Sequence, residues 1–267
     1  MKLSEAKIRE SFKDGELLSG LPIFVSDVTD STMQDAKKHK KPPTRAIFLA
    51  DEQTAGKGRL GRKFISDGGV GLYMTLIYTP TGDVSDTVGI TAYAAVVTRR
   101  AIYELTGIDP SIKWVNDIVK DGRKIAGILT EGIIDPDTGT LSRCLVGIGV
   151  NVSGRITAPE ICDIATTLET LGGQVTREAL AARITEIFYS ELHKLESHAY
   201  SDEYRRHSSV IGKNVNVIRI DRTYPARVLD ITDSCELVLS LEDGTREILA
   251  TGEVSVREKK SRIEINP

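Results

Sequence analysis

The sequence predicts an α+β fold, in which a mixed-sheet domain over residues 1–210 precedes a small all-β module over residues 211–267. Three observations carry this. Two long segments, opening at Asp86 and Thr176, repeat apolar residues at spacings of three and four, the helical period. Short β-branched and aromatic runs, divided by turn residues, fill the space before and between them. Beyond residue 211 only short β runs remain, with no helix signal.

A short polar helix near the N-terminus leads into a strand over 22–28. Asp30 or Ser31 can cap the helix that follows through Ala36 to His39. Residues 45–51 and 72–78 read as strands flanking a loop rich in glycine and arginine, and Pro80-Thr81-Gly82-Asp83 marks a turn. The helix from Asp86 aligns Ile90, Ala94, Val97, Ala101 and Leu105 in one core-facing stripe and stops at Gly107. Strands over 112–114, 117–120, 124–131 and 141–149 come next, with Asp121-Gly122 as a hairpin turn. Thr176 caps the second long helix, whose apolar face carries Leu180, Ile184, Ile187, Phe188, Leu192 and Leu195. The final runs, 215–220, 226–231, 236–241, 246–250 and 253–257, with a turn at Asp243-Gly244, are enough for a barrel of about 50 residues.

The 267 residues are 40% hydrophobic and 27% charged, an ordinary globular composition. A formal net charge of −3 gives no overall attraction to nucleic acid, so any cationic function must be local. Cys144, Cys162 and Cys235 are odd in number and form no metal-type or redox-type pair, which fits a reducing compartment. No apolar stretch is long enough to span a bilayer, and the polar N-terminus lacks a signal-peptide core. A cytoplasmic protein with no membrane partner is the expectation.

Chemistry concentrates in residues 52–64, where Gly56, Gly58 and Gly61 alternate with Lys57, Arg59, Arg62 and Lys63. Such a loop can present backbone N–H groups and cations to carboxylates and phosphates. Gly56-x-Gly58-x-x-Gly61 matches the dinucleotide fingerprint in letters only. That motif must open a helix, and here Gly68, Gly69 and Gly71 followed by Leu72 to Tyr78 spell a strand. No Gly-Lys-Ser/Thr completes a P-loop either. By itself the segment also fits a solvated, charged hairpin loop.

Three more segments stand out. Asp30-Ser31-Thr32-Met33 sits at a strand-to-helix junction. Lys113-Trp114-Val115-Asn116-Asp117 precedes Arg123-Lys124-Ile125-Ala126-Gly127-Ile128-Leu129-Thr130-Glu131, and Gly147-Ile148-Gly149-Val150-Asn151 ends a strand. Singly, each has a structural reading. Ser31 and Thr32 can be caps, Trp114 core, Lys124 a solvated strand-end lysine, and Gly147 and Gly149 points of close packing.

Together and in this order, starting from Asp30-Ser31-Thr32 and including Gln53 to Arg62, these segments resemble the motifs of biotin protein ligases. The similarity covers about residues 23 to 257, because Gly252-Glu253-Val254-Ser255-Val256-Arg257 resembles the end of that family's C-terminal domain. The resemblance implies a class II synthetase-like mixed-sheet catalytic domain followed by an SH3-like β-barrel. It also implies a reaction in two steps. Biotin and MgATP give biotinyl-5′-AMP and pyrophosphate, and a lysine of a biotin carboxyl carrier protein or domain then displaces AMP.

By the same resemblance, Ser31, Thr32, Met33, Gln53, Gly56, Lys57, Gly58, Arg59, Lys124 and Gly127 bind biotin. Arg62, Phe64, Asn116 and Asn151 fall where the nucleotide binds, with Phe64 against adenine. Arg59 and Lys124 are expected to serve adenylate formation. Asp117 is expected to act as base or orienting group for the acceptor lysine, whose ordinary pKa of about 10.4 keeps it protonated at neutral pH. No metal ligands of the protein are expected, and Mg²⁺ accompanies ATP.

Several positions depart from the family pattern. Met33 stands in place of the usual Asn, Lys57 of Arg, Phe64 of the commoner Trp and Val115 of Pro, and Leu60 stands where some members have Arg. About two dozen residues precede the first catalytic strand, against roughly 60 or more for the winged helix-turn-helix by which some members bind operators. A monofunctional enzyme that does not bind DNA is therefore expected. Sheet-edge pairing into a homodimer is compatible with the fold, and the sequence does not decide it. Two other readings stay open: a lipoate or octanoate ligase of related fold, and a non-catalytic binder that sequesters biotinyl-AMP.

Overall fold

The computed structural model describes residues 2–13, 15, 18–39, 43–80, 87–156, 158–219 and 221–256. The expected turn at residues 80–83, the helix start at Asp86 and the last-strand terminus at Arg257 lie wholly or partly outside these. Helix α1 (Glu5–Ser11) precedes β1 (Ile23–Thr29), α2 (Thr32–Lys38), β2 (Arg45–Gln53), β3 (Gly71–Tyr78) and α3 (Thr87–Thr106). Next come β4 (Ser111–Lys113), β5 (Asp117–Lys120), β6 (Arg123–Ile134) and β7 (Leu141–Asn151). After α4 (Arg177–Ser190), α5 (Leu192–Glu196) and α6 (Ser201–Arg206), the chain ends in β8 (Asn214–Ile218), β9 (Thr223–Ile231), β10 (Leu237–Leu241), β11 (Arg246–Leu249) and β12 (Glu253–Val256).

Strands β1 to β7 form one seven-stranded sheet in the order β1-β2-β3-β7-β6-β5-β4. Only β1 and β2 are parallel, so the sheet is mixed as expected. The last five strands form an antiparallel sheet in the order β11-β10-β9-β8-β12. The Asp121-Gly122 and Asp243-Gly244 turns both form, with left-handed φ at Asp121, Gly122 and Gly244.

Alternation along β2 divides the core. Ile47 and Leu49 belong to the main cluster with α3 and α4, while Ala46 and Phe48 join Met33 and Ala36 of α2, Ile77 and Leu145. The large sheet thus carries α3 and α4 on one face and the short α2 on the other. All eight residues of β3 are buried, which fits a central strand covered on both sides.

Two sequence expectations need correction. Helix α3 is buried continuously from Gly89 to Arg99 and again at Ala101 and Ile102, not along a single stripe. It lies between the sheet and helices α4 and α6, and small residues such as Gly89, Ala92, Ala94 and Ala95 permit that double packing. The helix capped by Thr176 stops at Ser190, so Leu192 and Leu195 belong to α5. At the break, Glu191 turns its carboxylate to Arg100 of α3 and to Lys194. The Thr176 cap itself forms, its hydroxyl accepting from Ala179 N at 3.1 Å. Helix α6 had no clear sequence signal. Cys144 is buried on β7, and burial pushes its thiol up to about 12, consistent with an inert core residue.

A buried bond joins the two β modules, Trp114 Nε1 donating to Cys235 O at 2.7 Å, and within the first the Tyr204 hydroxyl of α6 donates to Val115 O at 3.1 Å. Trp114 is therefore core, and the peptide bond that follows it is cis.

Candidate active site

The Gly/Arg loop closes on itself between β2 and β3. Gln53 N donates to Ser66 O, Phe64 N to Gly56 O, and Gly58 N to Arg62 O, at 3.1, 2.9 and 2.7 Å. At the crossing point a Cβ on Gly56 would lie 2.4 Å from Phe64 O and 2.7 Å from Ser66 Oγ, so only glycine fits. The loop tip is one 3-10 turn, Arg59–Gly61, in which Leu60 and Gly61 adopt left-handed φ. A strand follows, not a helix, as the sequence indicated.

Beneath the loop the α2 face of the sheet is stripped of side chains. Gly127 of β6 pairs directly with Gly149 of β7, and Gly147 pairs with Leu129 and with Thr75 of β3. The Phe64 ring rests on this bare patch, where a Cβ on Gly149 would come within 2.5 Å of it. Met33 fills the neighbouring notch, its Sδ 2.9 Å from where a Gly147 Cβ would stand. Loop, helix α2 and sheet enclose an open cleft.

One end of the cleft is neutral and polar. Gln53 Oε1 accepts from Thr32 N at 2.9 Å and Thr32 Oγ1 at 3.2 Å, and Thr32 Oγ1 also meets Thr75 Oγ1 at 2.8 Å. Ser31 occupies the N-cap position of α2 but makes no side-chain capping bond, and it lines the cleft. The expected cap is thus not made.

The other end is cationic. Arg59 donates to Asn116 Oδ1 at 3.2 Å and to Gly252 O at 3.0 Å, both uncharged, so its positive charge is not neutralised there. Lys124 forms an ion pair with Asp117 at 2.6 Å and stands 5.9 Å from the centre of the Phe64 ring. Lys57 lines the same cleft.

Eleven of the residues singled out from sequence therefore share one cleft: Ser31, Thr32, Met33, Gln53, Lys57, Gly58, Arg59, Phe64, Asn116, Lys124 and Gly127. Four do not line it. Gly56 packs beneath the loop crossing, and Arg62 pairs with Glu253 at 2.6 Å. Asp117 reaches the cleft only through Lys124. Asn151 donates to Thr166 O and Lys124 O and lines an adjoining recess with Asp67, Ser153 and Arg155. Sequence reasoning missed Thr75 and Ser66, both buried and bonded to cleft residues. Thr75 had a signal: it is the one hydroxyl of its kind inside an otherwise apolar and aromatic strand.

Residues 25–151 match the model of the biotin/lipoate A/B protein ligase family, and residues 210–257 match that of the biotin protein ligase C-terminal domain. The bifunctional ligase/repressor BirA of Bacillus subtilis is 31% identical over 255 residues, spanning 92% of this chain and 77% of that one. The chain belongs to the biotin protein ligase family. It is accordingly a ligase, with the mixed-sheet and C-terminal β architecture expected of the family. A biotin–[acetyl-CoA-carboxylase] ligase of Paracoccus denitrificans is 35% identical over 133 residues, 47% of this chain and 52% of that one. The solved biotin protein ligase of Aquifex aeolicus, in complex with biotin and ATP, superposes with a TM-score of 0.77 at 25% identity, over 89% of this chain and 99% of that one.

Proposed function

We propose that this ligase activates biotin with ATP to biotinyl-5′-AMP and transfers the biotinyl group to a lysine of a biotin carboxyl carrier domain. One observation carries the reading: a neutral polar recess and an incompletely neutralised cation set share a single cleft. The recess at Ser31, Thr32 and Gln53 suits an uncharged hydrogen-bonding ring. The cations suit the meeting of a carboxylate with a triphosphate, which repel each other in water.

In the first step a biotin carboxylate oxygen attacks the α-phosphorus, and pyrophosphate leaves with the bond electrons. Lys57, Arg59 and Lys124 hold both anions in line and offset the charge that gathers on the phosphate oxygens. Asp117 orients Lys124. In the second step the acceptor lysine, once deprotonated, attacks the acyl carbon of the anhydride, and AMP leaves. Phe64, Asn116, Arg62 and Asn151 bound the nucleotide side. Among the described residues no cluster of three or more His, Cys, Asp or Glu side chains could hold a metal. Mg²⁺ enters with ATP as part of the nucleotide substrate, bound mainly through the phosphates.

Incubation with ATP, Mg²⁺, biotin and a carrier domain tests the proposal, with both adenylate and biotinylated carrier measured. Adenylate without transfer would favour a sequestering binder, against which the full cation set argues. Neither product would overturn the assignment. A lipoyl or octanoyl group on the acceptor lysine, read by mass spectrometry, would instead indicate the related acyl ligases.

A further inference from the structure

We propose that Ser66 is a positioning residue that locks the Gln53 side-chain amide in one orientation and thereby sets how the recess reads its ligand's ring. This rests on the biotin reading above. Ser66 is buried just before β3, across the loop stem from Gln53. Its hydroxyl donates to Phe64 O at 3.0 Å, so toward Gln53 it can only accept, and it does so from Nε2 at 2.9 Å. At the other end of the amide, Thr32 N can only donate, and Oε1 receives it at 2.9 Å. A flipped amide would face N–H with NH₂ at one end and oxygen with oxygen at the other. The Thr32 bond would be lost and its contact become repulsive, and Ser66 could meet the turned Oε1 only by giving up its bond to Phe64 O.

The consequence for recognition follows from counting valences. Oε1 already takes two donors from Thr32, whereas Nε2 spends one hydrogen on Ser66 and keeps the second. The locked amide therefore offers the recess an N–H donor, the complement of a ring carbonyl oxygen. The same Ser66 hydroxyl holds the carbonyl of Phe64, beside the point where only glycine fits at residue 56. One oxygen thus both orients the amide and holds a carbonyl of the loop stem.

The test compares Ser66→Ala and Ser66→Thr in biotin-dependent ATP–pyrophosphate exchange. The ligands are biotin and its cyclic guanidine analogue, in which the ring oxygen is replaced by NH. For Ser66→Ala we expect KM for biotin to rise on the order of tenfold, with kcat and KM for ATP held within about twofold. The preference for the urea over the guanidine should fall by a similar factor. Ser66→Thr retains the hydroxyl and should restore both. An unchanged biotin KM and unchanged ring preference in Ser66→Ala would overturn the proposal. So would biotin and ATP KM values rising together with a lowered melting temperature, which would mark a packing role. Absence of any biotin-dependent exchange in the unaltered protein would remove the biotin reading itself, an outcome distinct from either.

Discussion

Replacing Asp117 by Asn separates the role its sequence position suggests, toward the acceptor lysine, from the one its ion pair suggests, toward Lys124. Asp117 holds Lys124 at 2.6 Å, with the two side chains 26% and 33% exposed. A hydrogen bond to a charged group contributes about 1.5–3 kcal/mol, and partial exposure favours the lower half of that range. Losing about 1.5–2 kcal/mol of Lys124 orientation corresponds to a roughly 10- to 30-fold slower adenylation step. Pyrophosphate exchange measures that step, and single-turnover transfer from preformed adenylate measures the second. The decisive comparison is a double-mutant cycle. If Asp117 acts through Lys124, Asp117→Asn should cost almost nothing further in a Lys124→Ala background. Adenylation at the normal rate in Asp117→Asn, with only transfer slowed, would refute the orienting role and return Asp117 to the acceptor lysine. Equal costs in both backgrounds would refute it as well.

Other substitutions probe the cleft. Gly149→Ala would drive a methyl into the Phe64 ring, and because that ring belongs to a loop it should yield. We expect a stability loss at or below about 1 kcal/mol in thermal unfolding but a roughly tenfold higher KM for ATP. Lys124→Ala should lower adenylation by about two orders of magnitude, as expected for one electrostatic contact in the transition state, while leaving the melting temperature nearly unchanged. Glu253→Gln removes a pair whose arginine is 68% exposed, so binding of ATP should weaken by less than about fivefold, and less still at high salt. His207 is held below its ordinary pKa of 6.5 by burial and then by Arg99. The folded protein therefore binds fewer protons than the unfolded chain just below that pH, and stability falls on acidification from there. His207→Asn should flatten that part of the stability profile, which denaturant titration at pH 7 and about pH 5 would reveal.

Much of the fold was legible because its periods are strong. Strands over 45–51 and 72–78 and the helices after residues 86 and 176 need only alternation or three-four spacing to be recognised. The break at Glu191 was not, because its cause is Arg100, ninety-one positions away. The continuous burial of α3 was equally hidden, since small residues read the same against solvent as between two layers. At the site, the glycines and cations announced themselves through unusual composition. What they touch did not. Asp117 looks in sequence like a free acid and is in fact committed to Lys124, and Arg59 looks like a free cation yet reaches Gly252, just ahead of the last strand. Ser66 escaped notice because a serine among Ile65, Asp67 and Gly68 looks like any loop residue until its two hydrogen bonds are traced.

Arg59 and Arg62 find partners in Gly252 and Glu253, separated from them by 193 and 191 positions. During synthesis the sheet beneath the loop can assemble long before those partners exist, since β1 to β7 end at Asn151. Both guanidinium contacts must wait until the final strand is laid against β8. The loop backbone closes on its own bonds, so only its two arginine side chains are left to settle last. A chain interrupted before residue 252 would carry the sheet, the recess and Lys124, yet Arg59 would keep only its contact to Asn116 and Arg62 would lose Glu253.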